Sequence, residues 1–451
     1  MPELKRVLTL RTVVATSAGL TLATSTFVAA AQVAYLTAGD SAWLAILIGG
    51  LMCLAAAACF SELNGLYPSA AGIRLYFARA FSDRFGLTGA LYYNVMMLSV
   101  YGLESYALAA ALSQVLPGVP PLLWIVAMLA VVGVLNVRGV KLAGGFQDLV
   151  TYLLMTSVAV LGVLALAKGG FRLHTPLSPG PVGNVAQAVA TGIFLFIGFE
   201  WVTPLAEEVT QIPQISRGMM LALGILAVVY ALFTMGMSNV LPHSLLVHNA
   251  APQVVFARRA FGWGGALFMA ALCVGASITT FNAGLMGLSR FTYAFARELA
   301  LPPFLARVNR WFTPWAAIVT LLVVGLAVAV AVLLSGHYLV LVDLGAGVES
   351  IVYALTGVAV WSLRRREPDR ERPYRAGRGL IVPLLTAVIF FGLALAVFVN
   401  DLPALAYLAV GLLACFLYVT YAVPALRKRY GRQPARSRRR GQTPVREGAA
   451  K

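Results

Sequence analysis

The chain has 451 residues, of which 60% are hydrophobic and only 11% charged, with a net charge of +17. A soluble domain carries roughly a quarter charged residues. Here the charges are segregated, leaving apolar runs of about 20 residues or more, the length that crosses a bilayer. The numbers exclude an ordinary soluble enzyme and predict an all-α integral membrane protein.

Twelve apolar runs are read in chain order, near 12–36, 41–66, 86–115, 120–137, 142–167, 184–206, 216–241, 262–289, 314–336, 338–363, 379–400 and 402–424. With both termini placed in the cytoplasm, 30 of the 34 Lys and Arg residues fall in inner segments, and only Lys168, Arg172, Arg258 and Arg259 fall outside. That is the positive-inside pattern, expected of a multi-pass protein of the cell membrane. It accounts for the high charge without a nucleic acid partner. The basic tail at 425–451 reads as a disordered topology determinant, able also to lie on anionic lipid. The stretch "TFVAAAQ" in the first run resembles a signal-peptidase site; the length of that run and the charge parity argue against cleavage. The four Cys fall inside apolar runs, and His174, His243, His248 and His337 fall in outer loops, so no disulfide framework, metal site or cofactor is implied.

The first run carries a Thr/Ser cluster in "GLTLATSTFVAAA", where Thr24, Ser25 and Thr26 can cap a second half-helix. The third run holds Glu104 and the tenth holds Glu349. The sixth, "GIFLFIGFEWVTPLAEE", is interrupted by Gly198, followed at once by Glu200 and then by Pro204, which removes a backbone donor. No Lys or Arg lies at the depth of Glu104, Glu200 or Glu349. An ionised carboxylate there costs about 2.5–3.5 kcal/mol on insertion scales, so such residues usually face a watery path. Two interrupted segments at corresponding places in two halves are the strongest sequence pointer to a transporter's binding site. A half-helix starting near Thr24 presents a positive dipole to an anionic group.

Four further stretches carry a family pattern: "SELNGLYPSAAGIRLYFARAFSDRFG" (61–86), "FIGFEWVTPLAEEVTQIPQISRGM" (196–219), "LSRFTYAFARELALPPFLARVNRWFTPWAA" (288–317) and "LRRREPDRERPYR" (363–375). On these residues the chain resembles the amino acid–polyamine–organocation superfamily of secondary transporters. The resemblance implies a five-plus-five inverted repeat with helices one and six unwound, the halves at 12–167 and 184–363. It also implies two peripheral helices at 379–424, a cytoplasmic segment at 1–11 and alternating access. By the same analogy Phe194 stacks on the substrate, Glu200 senses protons, and Tyr101 and Glu104 line the site, being three residues apart on one helix face.

The departures are informative too. The family's Gly-Ser-Gly-Ile-Phe in the first helix is replaced by Ala23, Thr24, Ser25, Thr26 and Phe27, so both glycines that admit a ligand carboxylate to bare amides are missing. A Lys that serves some proton-coupled members in span five aligns with Leu154. The expectation is a symporter or exchanger of a small amine or amino acid, preferably cationic. Substrate contacts are expected at Thr24, Ser25, Thr26, Tyr101, Glu104, Phe194, Gly198 and Glu200, with proton coupling or gating at Glu200, Glu104 or Glu349. The rivals are a neutral amino acid permease with protonated Glu104 and a sensor that binds without translocating. No paired-Asp metal motif, His-Glu-x-x-His or nucleophile elbow supports an integral-membrane enzyme.

Overall fold

A backbone in hydrocarbon must satisfy its own polar groups, so long apolar runs become helices. The computed structural model describes residues 4–37, 41–170, 182–246, 249–336 and 338–430. The tail at 431–451 and His174, His248 and His337 lie outside the described residues. The helices are α1 (Leu10–Thr21), α2 (Thr24–Leu36), α3 (Ala42–Leu66), α4 (Ile73–Ala80), α5 (Asp83–Met96), α6 (Leu98–Ser113), α7 (Pro121–Val137) and α8 (Val140–Lys168). They continue with α9 (Val182–Phe194), a 3-10 segment (Phe199–Glu207), α10 (Pro213–Val240), α11 (Pro252–Arg297), α12 (Trp315–Ser335), α13 (Tyr338–Arg366), α14 (Ile381–Asn400), α15 (Leu402–Leu417) and α16 (Val423–Tyr430). Among the described residues, ten segments are long and apolar enough to cross a membrane, α1 and α2 form an eleventh as a pair bent by 61°, and α7 is a shorter apolar helix. This is a multi-pass membrane protein. The helix that contains the expected span at 262–289 extends beyond it at both ends. The helix runs from Pro252 to Arg297 with a kink at Gly262, so Arg258, Arg259 and Arg290 stand on it rather than in loops.

The bundle is apolar outside as well as inside. On α14, Leu384, Val388, Phe391, Leu395 and Val399 are exposed at helical spacing, forming a stripe suited to lipid tails. Only 28% of the apolar window of α14 is buried, and 17% of the window spanning α15 and α16, against 72% for Gln187–Glu207. These last helices flank α13, while α1, α2, α9 and the 3-10 segment sit inside a ring that includes α3, α6, α8, α10 and α11. Close approach in the ring uses small residues, as membrane helix pairs do. A Cβ on Gly162 of α8 would come within 2.6 Å of the Leu232 carbonyl on α10.

One face of the bundle, the one carrying both described ends of the chain, is tied shut by ion pairs. Residues Val7 and Leu8 donate backbone hydrogen bonds to the Glu208 carbonyl at 2.8 and 3.0 Å. The Glu208 carboxylate receives Arg290 at 2.7 and 3.3 Å, and both side chains are fully buried. Next to it, Glu207 binds Arg297 at 2.8 Å and the Ala70 amide at 3.0 Å, pinning the loop after α3 to the end of α11. Across the face, Glu62 accepts from Arg364 at 2.9 and 2.6 Å and from Arg372 at 3.1 Å.

Candidate functional site

Between α1 and α2 the chain leaves helical geometry at Leu22 and Ala23. The orphaned groups find partners on neighbouring helices, as backbone freed at membrane depth must. The Thr21 carbonyl accepts from the Tyr230 hydroxyl at 2.9 Å, and the Gly19 carbonyl from Thr280 Oγ1 at 3.2 Å. On the other side of the break, the Thr24 and Ser25 amides donate to Glu104 Oε1 and Oε2 at 2.6 and 3.2 Å.

The second break lies between α9 and the 3-10 segment. Gly198 has φ +105°, a left-handed conformation that a side chain disfavours. Its amide donates to the Tyr353 hydroxyl at 3.1 Å, and the Phe199 carbonyl accepts from Ser17 Oγ at 2.8 Å, so the two breaks are stitched together.

Where the breaks face each other there is a chamber of about 70 Å³, whose walls include Thr21, Ser25, Thr26, Phe194, Gly198 and Glu349. It adjoins a vestibule of about 480 Å³ that opens away from the ion-paired face and is bordered by Asp343 and Asp401. The two spaces share Ser25, Leu103, Phe194, Ile197 and Val342. Neither has a Lys or Arg among its described lining residues.

Beneath the chamber lies a chain of four oxygen-bearing side chains. The Tyr353 hydroxyl donates to Glu200 Oε2, and the Tyr93 hydroxyl oxygen lies 2.5 Å from Glu200 Oε1 and 2.6 Å from Glu349 Oε2. All four side chains are buried. A phenol has one proton to donate. The two phenols therefore supply two of the three links, and the third requires a carboxylic acid proton. All three links can be made at once if the dyad of Glu200 and Glu349 carries one proton. Trp201 stacks on Tyr93 with ring centroids 4.8 Å apart.

The residues singled out from sequence are not all brought to one place. Ser25, Thr26, Phe194, Gly198 and Glu349 border the chamber, while Glu200 lies below it against a void of about 10 Å³. Thr24 points away, its hydroxyl donating to the Cys273 carbonyl at 2.8 Å. Tyr101 packs on Phe281, centroids 5.0 Å apart, and does not reach either space. Glu104 is engaged by the α2 amides, as above. Sequence reasoning did not single out Tyr93, Tyr353 or Ser277. Tyr353 stands four residues after Glu349, on the same helix face, and that spacing was a usable signal.

The comparisons with known proteins bear on this arrangement. The profile of the amino acid permease family matches residues 8–421. The chain belongs to that family. Its relatives include the methylthioribose transporter of Bacillus subtilis (strain 168), 24% identical over 89% of this chain and 90% of the relative. The human Asc-type amino acid transporter 1 is 25% identical over 78% of this chain and 70% of its own. The serine/threonine exchanger of Bacillus subtilis (strain 168) is 26% identical over 77% of this chain and 81% of its own. This permease is therefore kin to transporters of amino acids and of related small organic molecules.

Proposed function

We propose that the permease is a secondary transporter that moves a small amine or amino acid, preferably cationic, across the cytoplasmic membrane by alternating access. The observation that carries this reading is the meeting of two helix breaks at a chamber bordered by Glu349 and leading to a vestibule bordered by Asp343 and Asp401, with no Lys or Arg among the described lining residues of either. A cation 4 Å from one carboxylate gains about 4 kcal/mol at an effective dielectric of 20, and desolvation removes much of that. Selectivity therefore rests on the sign of the field more than on one ion pair. With the Lys/Arg-rich, ion-paired face placed in the cytoplasm, the vestibule opens outward, which supports reading this conformation as outward-open and inward-closed. The breaks fall at corresponding places of two five-helix halves, and the last two spans stay peripheral.

Coupling runs through the shared proton of Glu200 and Glu349. The dyad is linked by Tyr93 and Tyr353 across α5, the 3-10 segment and α13, elements that must separate for the inner face to open. A proton that holds the links in one facing state and not in the other shifts the equilibrium by that differential interaction. The relatives' names span amino acids and methylthioribose, so the substrate class is decided at the site rather than by kinship. The test is uptake into proteoliposomes under an imposed pH gradient. Glu200→Gln is expected to lower the rate and flatten its pH profile; identical rates and profile would remove Glu200 from the mechanism.

A further inference from the structure

We infer that Glu104 is a built-in carboxylate, bound where a substrate carboxylate would otherwise dock, and that the substrate is a small amine bearing no carboxylate. The inference rests on the transport reading and narrows its substrate class. Helix α2 begins in the interior of the bundle without a side-chain cap of its own. A helix start of this kind, with unpaired amides and the positive end of the dipole, is a ready site for an anion. Here the anion comes from the chain itself, eighty residues away on α6. Glu104 Oε1 receives the Thr24 amide at 2.6 Å and Ser277 Oγ at 2.6 Å, while Oε2 receives the Ser25 amide at 3.2 Å. The side chain is 1% exposed and borders neither the chamber nor the vestibule.

Three consequences follow from charge and space. A second carboxylate approaching the Thr24 and Ser25 amides would find both donors already taken by Glu104 and its carboxyl group in the way. The neighbouring hydroxyls are also committed: Thr24 Oγ1 lies 2.9 Å from Ser277 Oγ, and Thr26 Oγ1 donates to the Ala23 carbonyl at 2.6 Å. The acids that do border open space, Glu349 in the chamber and Asp343 and Asp401 in the vestibule, attract an ammonium group and repel a carboxylate. The missing first-helix glycines fit the same account, because no ligand carboxylate has to reach the backbone there.

The test compares ligands that differ only by the carboxylate: agmatine with arginine, cadaverine with lysine, putrescine with ornithine, and phenethylamine with phenylalanine. Dissociation constants come from thermal shifts of the purified full-length protein, and exchange is followed in proteoliposomes. The expected result is that in at least one pair the amine binds ten times or more tighter than its parent amino acid. Glu104→Ala should narrow that ratio at least tenfold by admitting the parent. If Glu104→Ala does not fold, Glu104→Gln, which keeps the volume and one acceptor oxygen but loses the second, must still narrow it. A wild-type protein that binds and exchanges the amino acids as well as or better than the amines overturns this assignment and leaves the transport reading standing. An unchanged ratio in the folded variants also overturns it. Binding and exchange of neither class overturns both.

Discussion

Tyr93→Phe removes one oxygen from the structure, and its effect can be reckoned from the geometry. That oxygen lies 2.5 Å from Glu200 and 2.6 Å from Glu349, joining the 3-10 segment to α13 through α5. A hydrogen bond to a charged carboxylate contributes about 1.5–3 kcal/mol net and one between neutral groups about 0.5–1.5 kcal/mol, so losing one of each removes about 3 kcal/mol at mid-range. If both links exist only while the inner face is closed, the whole amount biases the gating equilibrium, and about 1.4 kcal/mol per decade makes that roughly 100-fold. The ring remains stacked on Trp201, so packing changes little. The assay is thiol labelling from the cytoplasmic side of Thr203→Cys, a position that borders the void beside Glu200. Labelling above that of the parent protein should accelerate by up to about 100-fold in Tyr93→Phe. An unchanged labelling rate in a variant that is folded would show that the phenol does not hold the gate.

Two further outcomes are expected at the ion-paired face. Glu208→Gln leaves Arg290 buried and charged without its partner, which costs about 3–5 kcal/mol and should appear as a clear drop in Tm; the double replacement Glu208→Leu with Arg290→Met strands no charge and should recover most of it. The Arg370 hydrogen bond holds the Glu367 carboxyl below its usual range. A folded pKa below the unfolded one gives a contribution complete above about pH 4.3 and lost as pH falls through the folded value. Arg370→Gln should therefore flatten the acid end of a Tm–pH profile, with little change at pH 7.

Much of the fold was legible because hydrocarbon permits few answers. Gly198 before an acid and a proline announced a break, and the Thr/Ser run announced another, since each residue type has a local conformational reason to sit there. The partners of the acids were not legible. Glu104 and the two missing glycines were both visible, yet their connection needs α6 to cross the start of α2, which is a fact of packing rather than of pattern. Tyr101 misled for a similar reason. Three residues from Glu104 means nearly the same face, but the offset is enough to turn its ring onto Phe281 and Gly325. The charged motifs at 61–86, 196–219, 288–317 and 363–375 identified the family, and the structure shows what they do locally. Glu62, Glu207, Glu208, Arg290, Arg297 and Arg364 come from those motifs and lock a single face.

The most direct measurement is counterflow in sealed proteoliposomes preloaded with unlabelled amine and diluted into a trace of the labelled compound. A transporter accumulates label transiently inside and then releases it as the gradient collapses, and this permease is predicted to do so with the amine that most stabilises it. Binding of that amine with no transient accumulation would make the protein a receptor on a permease fold and contradict the account.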